Sequence, residues 1–140
     1  MDVHIKNRYS TIYVLVRPGA YKFITEMQKI YEVVFFTASV SSYAIPLISK
    51  LDINKYGFNM LFRQHCDYKN KSFIKDLSKI GRGLKDTIII DNTPGCYRLQ
   101  KSNGLPIISW FDDPNDQELT RMIPLLQKLA KVNDVRPYIK

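Results

Sequence analysis

Three polar positions stand at the ends of apolar runs or between them. Thr37 follows Glu32-Val-Val-Phe-Phe, the pair Asp91-Asn92 follows Thr87-Ile-Ile-Ile, and Lys75 lies in the segment separating the two. Together these groups suit phosphate. A hydroxyl donates a hydrogen bond to it, an ammonium offsets its charge, and an Asp-Asn pair offers oxygens that help hold Mg²⁺. Each residue alone also has a plainer reading. Thr37 serves equally as a helix-capping hydroxyl, Lys75 as a solvated surface residue, and Asp91 as the start of an Asx-turn ahead of Pro94.

The elements decide whether these residues meet. Thr11 to Val16 is rich in β-branched and aromatic residues and reads as a strand, with Val3 to Ile5 as its hairpin partner. Phe23, Met27, Ile30 and Tyr31 recur at helical spacing from Ala20 onward. Glu32 to Ser39 then reads as a short strand buried on both faces. A second helix, capped by Ser41 or Ser42, carries Ile45, Ile48 and Leu51 past Pro46. Between Asp52 and Phe73 the helical period is lost, and Tyr56, Phe58, Leu61, Phe62 and Tyr68 suggest short strands or an insertion.

Lys75 to Ile80 is expected to be a short helix, Thr87 to Asp91 a second buried strand, and Leu105 to Phe111 another. Asp112, Asp113 and Asp116 then precede a final helix whose apolar face is Leu119, Ile123, Leu126 and Leu129. Strands alternating with helices predict an α/β domain with a mostly parallel, Rossmann-like sheet. Its ligand site belongs at the carboxyl ends of the strands, which would bring Thr37 and Asp91 to one edge.

The 140 residues fit one domain spanning 1–140. Their 45% hydrophobic and 24% charged content is that of a folded protein. No apolar run is long enough for a membrane helix, and the polar start Met-Asp-Val-His-Ile-Lys-Asn-Arg lacks the apolar centre of a signal peptide, so the nucleus or cytoplasm is expected. Cys66 and Cys96 have no metal-ligand spacing and read as reduced thiols. The net charge of +8 favours phosphorylated or polyanionic partners. Its scatter along the chain, with only Lys69 to Lys75 approaching a cluster, argues against nucleic acid.

Four blocks in order carry a family resemblance: Phe35-Phe-Thr-Ala-Ser39, Phe73-Ile-Lys-Asp-Leu-Ser78, Ile89-Ile-Asp-Asn-Thr-Pro94 and Ser109-Trp-Phe-Asp-Asp-Pro-Asn-Asp116. They closely resemble motifs of the small phosphatases acting on the RNA polymerase II C-terminal repeat and of dullard-type phosphatases, within the haloacid-dehalogenase superfamily. The resemblance runs from about Tyr13 to Pro137 and is far more specific than any lone motif. It implies a Mg²⁺-dependent phosphoserine/phosphothreonine protein phosphatase domain with a small β insertion. Thr37 resembles the hydroxyl that binds the transferring phosphoryl group, Lys75 the charge-stabilising lysine, and Asp91 and Asn92 the motif that positions Mg²⁺ and that lysine. Arg63 and Tyr43 match positions near the substrate phosphate.

In such families a first strand ends in Asp-x-Asp-x-Thr or Val. Its first Asp attacks phosphorus and its second serves as acid and base. No segment of the 140 residues matches it, since Asp2 is the sole carboxylate before Glu26 and no Asp stands two positions later. The expectation is therefore an N-terminally incomplete domain whose central strand is missing, inactive as this chain and weak in Mg²⁺ binding. The alternative is a non-catalytic phosphopeptide- or protein-binding module, a pseudophosphatase or a relative of the presequence-receptor subunit of the mitochondrial inner-membrane translocase, which shares the fold.

Overall fold

The computed structural model describes residues 2–5, 8–11, 13–50 and 59–139. In chain order its elements are β1 (Asp2–Ile5), β2 (Arg8–Thr11), α1 (Ala20–Gln28), β3 (Val34–Phe36), α2 (Ser41–Lys50), β4 (Asn59–Leu61), β5 (Asp67–Lys69), β6 (Ser72–Ile74), β7 (Ile89–Asp91), β8 (Gly104–Pro106) and α3 (Glu118–Leu129). Among the described residues they form four two-stranded sheets. The pairs β1–β2 and β5–β6 are antiparallel, while β3–β4 and β7–β8 are parallel. The mixed α/β character stands, and the parallel strands of the expected sheet occur among the described residues as two short separate pairs, compatible with that fold. Each of β3 and β7 has one hydrogen-bonded neighbour and no strand on its other edge among the described residues.

The parallel pairs sit on three apolar clusters. Alternation along residues 88–90 sends Ile89 into a cluster with Leu77, Cys96 and Tyr97, while Ile88 and Ile90 pack against the largest core. That core joins Met27 of α1, Leu105 of β8, Ile123, Leu126 and Leu129 of α3, and Val135 and Ile139. Phe35 of β3 and Met60 of β4 cover Ile24 and Ile48, which sews α1 and α2 to the first parallel pair. The hydroxyl of Tyr31 donates to the Leu126 carbonyl at 2.6 Å, and burial raises that phenol above its ordinary value. No helix among the described residues is long and apolar enough to cross a membrane.

Several expected boundaries shift, each for a local reason. Thr11 to Val16 does not continue as a strand: β2 ends at Thr11 and residues 13–17 lack regular structure. Tyr13 there is 93% exposed, so this β-prone run has no surface to pack on. The carbonyl of Val40, not Ser41 or Ser42, accepts the first amides of α2 from Tyr43 and Ala44, so the two serines lie inside the helix. Ile48 is buried but Ile45 faces solvent, and Leu51, Tyr56 and Phe58 lie outside the described residues.

The helix expected at Lys75 to Ile80 is only a 3-10 turn, Leu77–Lys79, capped by Asp76. The strand expected from Leu105 to Phe111 stops at Pro106, after which one more ladder bond runs from the Ile107 amide to the Asp91 carbonyl. Asp112 and Asp113 do not cap α3. Asp116 accepts from the Glu118 amide instead and takes Arg17 on its outer side.

Candidate active site

Thr37 is the first residue beyond β3. Its amide continues the ladder to the Leu61 carbonyl at 3.0 Å, and its Oγ1 accepts from the Ser39 amide at 3.0 Å. This small turn leaves the hydroxyl proton available to a ligand. Lys75, the first residue beyond β6, is only 8% exposed, which rules out the surface reading. Its ammonium meets Asp91 Oδ2 at 2.5 Å and lies 5.5 Å from the centre of the Phe36 ring. The other Asp91 oxygen accepts from the Thr93 amide at 2.9 Å, so the Asx-turn and the ion pair coexist on one carboxylate. Burial pulls that carboxyl upward, but Lys75 and Thr93 outweigh it and hold its pKa below the ordinary value.

The segments carrying these groups are stitched together. The Lys75 amide donates to the Cys96 carbonyl at 2.7 Å, the Gln100 amide group donates to Asp76 at 2.8 Å, and Gln100 Oε1 accepts from the Leu77 amide at 3.0 Å. On the far side, Arg63 donates from Nε to the Ala38 carbonyl at 2.6 Å, and its guanidinium lies 4.7 Å above the centre of the Phe73 ring. The hairpin carrying Phe73 turns at Asn70 and Lys71, whose φ values of 52° and 62° are the left-handed conformations a two-residue hairpin loop requires.

The result is a cleft of about 510 Å³ holding Thr37, Arg63, Lys75, Asp91 and Asn92. Tyr43 is not in it. It lines a neighbouring hollow of about 330 Å³ that shares Ser39 and Arg63 with the first. The cleft also holds Cys96, read from the sequence only as a reduced thiol, and Arg98, which sequence reasoning passed over because it sits on an irregular 3-10 stretch, Pro94–Asn103, without periodicity. Burial, then the Asp91 carboxylate, pushes the Cys96 thiol up to about 12, and burial raises Cys66 as well. Both cysteines are free thiols.

This arrangement can bind and neutralise a phosphoryl group through Thr37, Lys75 and Arg63. Among the described residues Asp91 is the sole carboxylate lining the cleft, and both of its oxygens are engaged, so it is not poised to attack phosphorus. The described residues also do not make a Mg²⁺ site by themselves. Asn92 turns its amide nitrogen to Ser109 Oγ at 3.0 Å, and no group of three or more His, Cys, Asp or Glu that could hold a metal occurs among the described residues. Mg²⁺ prefers an octahedron of oxygens.

A fold of parallel strand pairs ending at an anion-binding cleft, with a lysine–aspartate pair as its floor, fits a phosphoryl-transfer domain of the haloacid-dehalogenase type. The profile of the NLI interacting factor-like phosphatases matches residues 1–136, and the chain belongs to that family. It is 42% identical over 136 residues to a probable C-terminal domain small phosphatase of Dictyostelium discoideum, covering 97% of this chain and 44% of that protein. It is 42% identical over 135 residues to phosphatase Herzog of Drosophila melanogaster, covering 96% of this chain and 38% of that protein. Human carboxy-terminal domain RNA polymerase II polypeptide A small phosphatase 1 is 38% identical over 137 residues, covering 96% and 52% respectively. The chain thus spans about half the length of these relatives or less.

Proposed function

We propose that these 140 residues form the phosphoryl-binding part of a Mg²⁺-dependent phosphoserine/phosphothreonine protein phosphatase site. Thr37 and Lys75 bind the phosphoryl group, Arg63 and Tyr43 flank the substrate, Asp91 orients Lys75, and Asp91 with Asn92 contributes to metal binding. The observation that carries this reading is the convergence of Thr37, Lys75 and Asp91 on one cleft from three separate elements. The substrate class is a phosphorylated Ser/Thr protein in the nucleus or cytoplasm, by kinship with relatives named for the RNA polymerase II C-terminal domain.

The nucleophile must come from an Asp-x-Asp-x-Thr strand, which the 140 residues do not contain, so the chain by itself is inactive and binds Mg²⁺ weakly. The edges of β3 and β7 that have no partner among the described residues support a strand between them. A non-catalytic phosphopeptide-binding role is the second reading, favoured by the engagement of both Asp91 oxygens, which leaves a cleft that binds anions without attacking them.

The deciding experiment adds a family-like strand ending in Asp-x-Asp-x-Thr ahead of residue 1. Thermal stability and Mg²⁺-dependent phosphatase activity should both rise. Changing the first added Asp to Asn should keep the stability and abolish the activity. A stabilised chain that stays inactive would sink the catalytic reading and leave the binding one.

A further inference from the structure

We infer that Arg98 reads a second negative charge on the ligand, so that the cleft prefers phosphopeptides carrying a carboxylate or another phosphate beside the phosphorylated residue. This rests on the phosphoryl-binding reading and specifies its substrate class.

The arginines of known side-chain environment divide sharply. Arg17 holds Asp116, Arg82 holds Glu32, Arg121 holds Glu118, and Arg136 holds Asp134. Arg63 is fixed by the Ala38 carbonyl and the Phe73 ring. Arg98 alone has no acceptor, carboxylate or ring partner among the described residues, yet it is half-buried and lines the cleft. A guanidinium at a cleft with no acceptor among the described residues is satisfied best by a ligand that brings one.

Its placement fits a second anion better than the first. Thr37, Ala38, Ser39 and Arg63 come from the wall built by β3 and β4, and Arg98 comes from the turn that follows β7. A phosphoryl group held at Thr37 has two cations of its own in the cleft, the Lys75 ammonium and the Arg63 guanidinium that stands beside Thr37 through its bond to Ala38, which leaves Arg98 for another anion. A volume of about 510 Å³ leaves room for more than one phosphoryl group. An Arg fork pairs equally well with carboxylate and phosphate, so the shared chemistry is a second oxyanion.

The test is fluorescence anisotropy on the 140-residue chain with labelled peptides. Their phosphoserine is flanked by alanine, by glutamate or by a second phosphoserine, and an unphosphorylated acidic peptide is included. The glutamate and diphosphorylated peptides should bind roughly three- to tenfold tighter than the alanine-flanked one, with the advantage shrinking in high salt. Arg98→Ala should bring that ratio to about one, Arg98→Lys should retain part of it, and Arg98→Glu should reverse it. The larger gain of the two acidic arms tells whether carboxylate or phosphate is the better second group. If phosphoserine is needed and Lys75→Ala abolishes binding, but flanking charge adds nothing or its gain survives Arg98→Ala, the Arg98 inference falls alone. If the acidic peptide binds equally with and without phosphate, the phosphoryl-binding reading falls and takes this one with it.

Discussion

Arg17 grips both oxygens of Asp116 across 99 positions of sequence, with Nε 2.6 Å from Oδ2 and Nη2 3.1 Å from Oδ1. Both side chains are largely shielded, and the pair ties the chain ahead of α1 to the chain ahead of α3. The Arg17 hydrogen bond lowers the Asp116 carboxyl below its ordinary value. A depressed carboxyl stabilises the fold fully above the ordinary carboxylate range and loses that contribution as the pH falls through its folded value. Asp116→Ala should therefore lower the melting temperature at pH 7, and the gap from the parent chain should close toward pH 3. An undiminished gap at pH 3 would mean the ion pair is not its source.

Lys75 and Asp91 should be costly to separate. Asp91→Asn leaves a nearly buried ammonium without its counter-charge, a loss of about 3 kcal/mol in urea denaturation. Lys75→Ala combined with Thr37→Ala should weaken binding of inorganic phosphate at least about tenfold, since hydrogen bonds to charged groups contribute about 1.5–3 kcal/mol. Titration calorimetry giving the same isotherm for parent and double variant would refute a phosphoryl site at these residues. With p-nitrophenyl phosphate and Mg²⁺, the chain should not exceed the rate of its Lys75→Ala variant.

Gly104 admits no side chain. A Cβ there would stand 2.0–2.5 Å from three atoms of the Tyr97 ring, which is buried in the cluster beside the cleft. Gly104→Ala should cost about 1–3 kcal/mol or more through overpacking. In a Tyr97→Ala background the same change should cost far less, because the atoms it strikes are gone. Additive losses in chemical denaturation would place the strain elsewhere.

The two thiols should differ in reactivity. Cys96 is buried, with its pKa at about 12, whereas Cys66 is partly accessible. At pH 8 a disulfide reagent should modify Cys66 first and reach Cys96 only on unfolding. Peptide mapping that finds Cys96 modified early in the folded chain would contradict its placement under Asp91.

What was legible in the sequence follows from where packing and polarity coincide. Thr37 and Asp91 stood out because apolar runs end at them, and β3 and β7 do lie there. Lys75 was visible through its surrounding motif, while its burial depends on Phe36 and Asp91, neither adjacent in sequence. The run from Thr11 to Val16 misled because β-propensity records a preference for a half-buried pleated surface, and residues 13–17 do not form a strand. Arg98 left no sequence trace, since a turn residue carries no period and its environment is made by distant walls.

The two parallel ladders also bear on how the chain folds. Val34 meets Asn59 in one and Ile89 meets Gly104 in the other, so each closes within its own stretch of chain. The entropic cost of closing a loop grows only slowly with its length, so neither separation is prohibitive. Each ladder can therefore assemble without waiting for the other. The cleft, which needs walls from both, is the late product of their docking. Substitutions at Lys75 or Asp91 should accordingly speed unfolding more than they slow folding, and the binding surface should be the first part of the molecule to open.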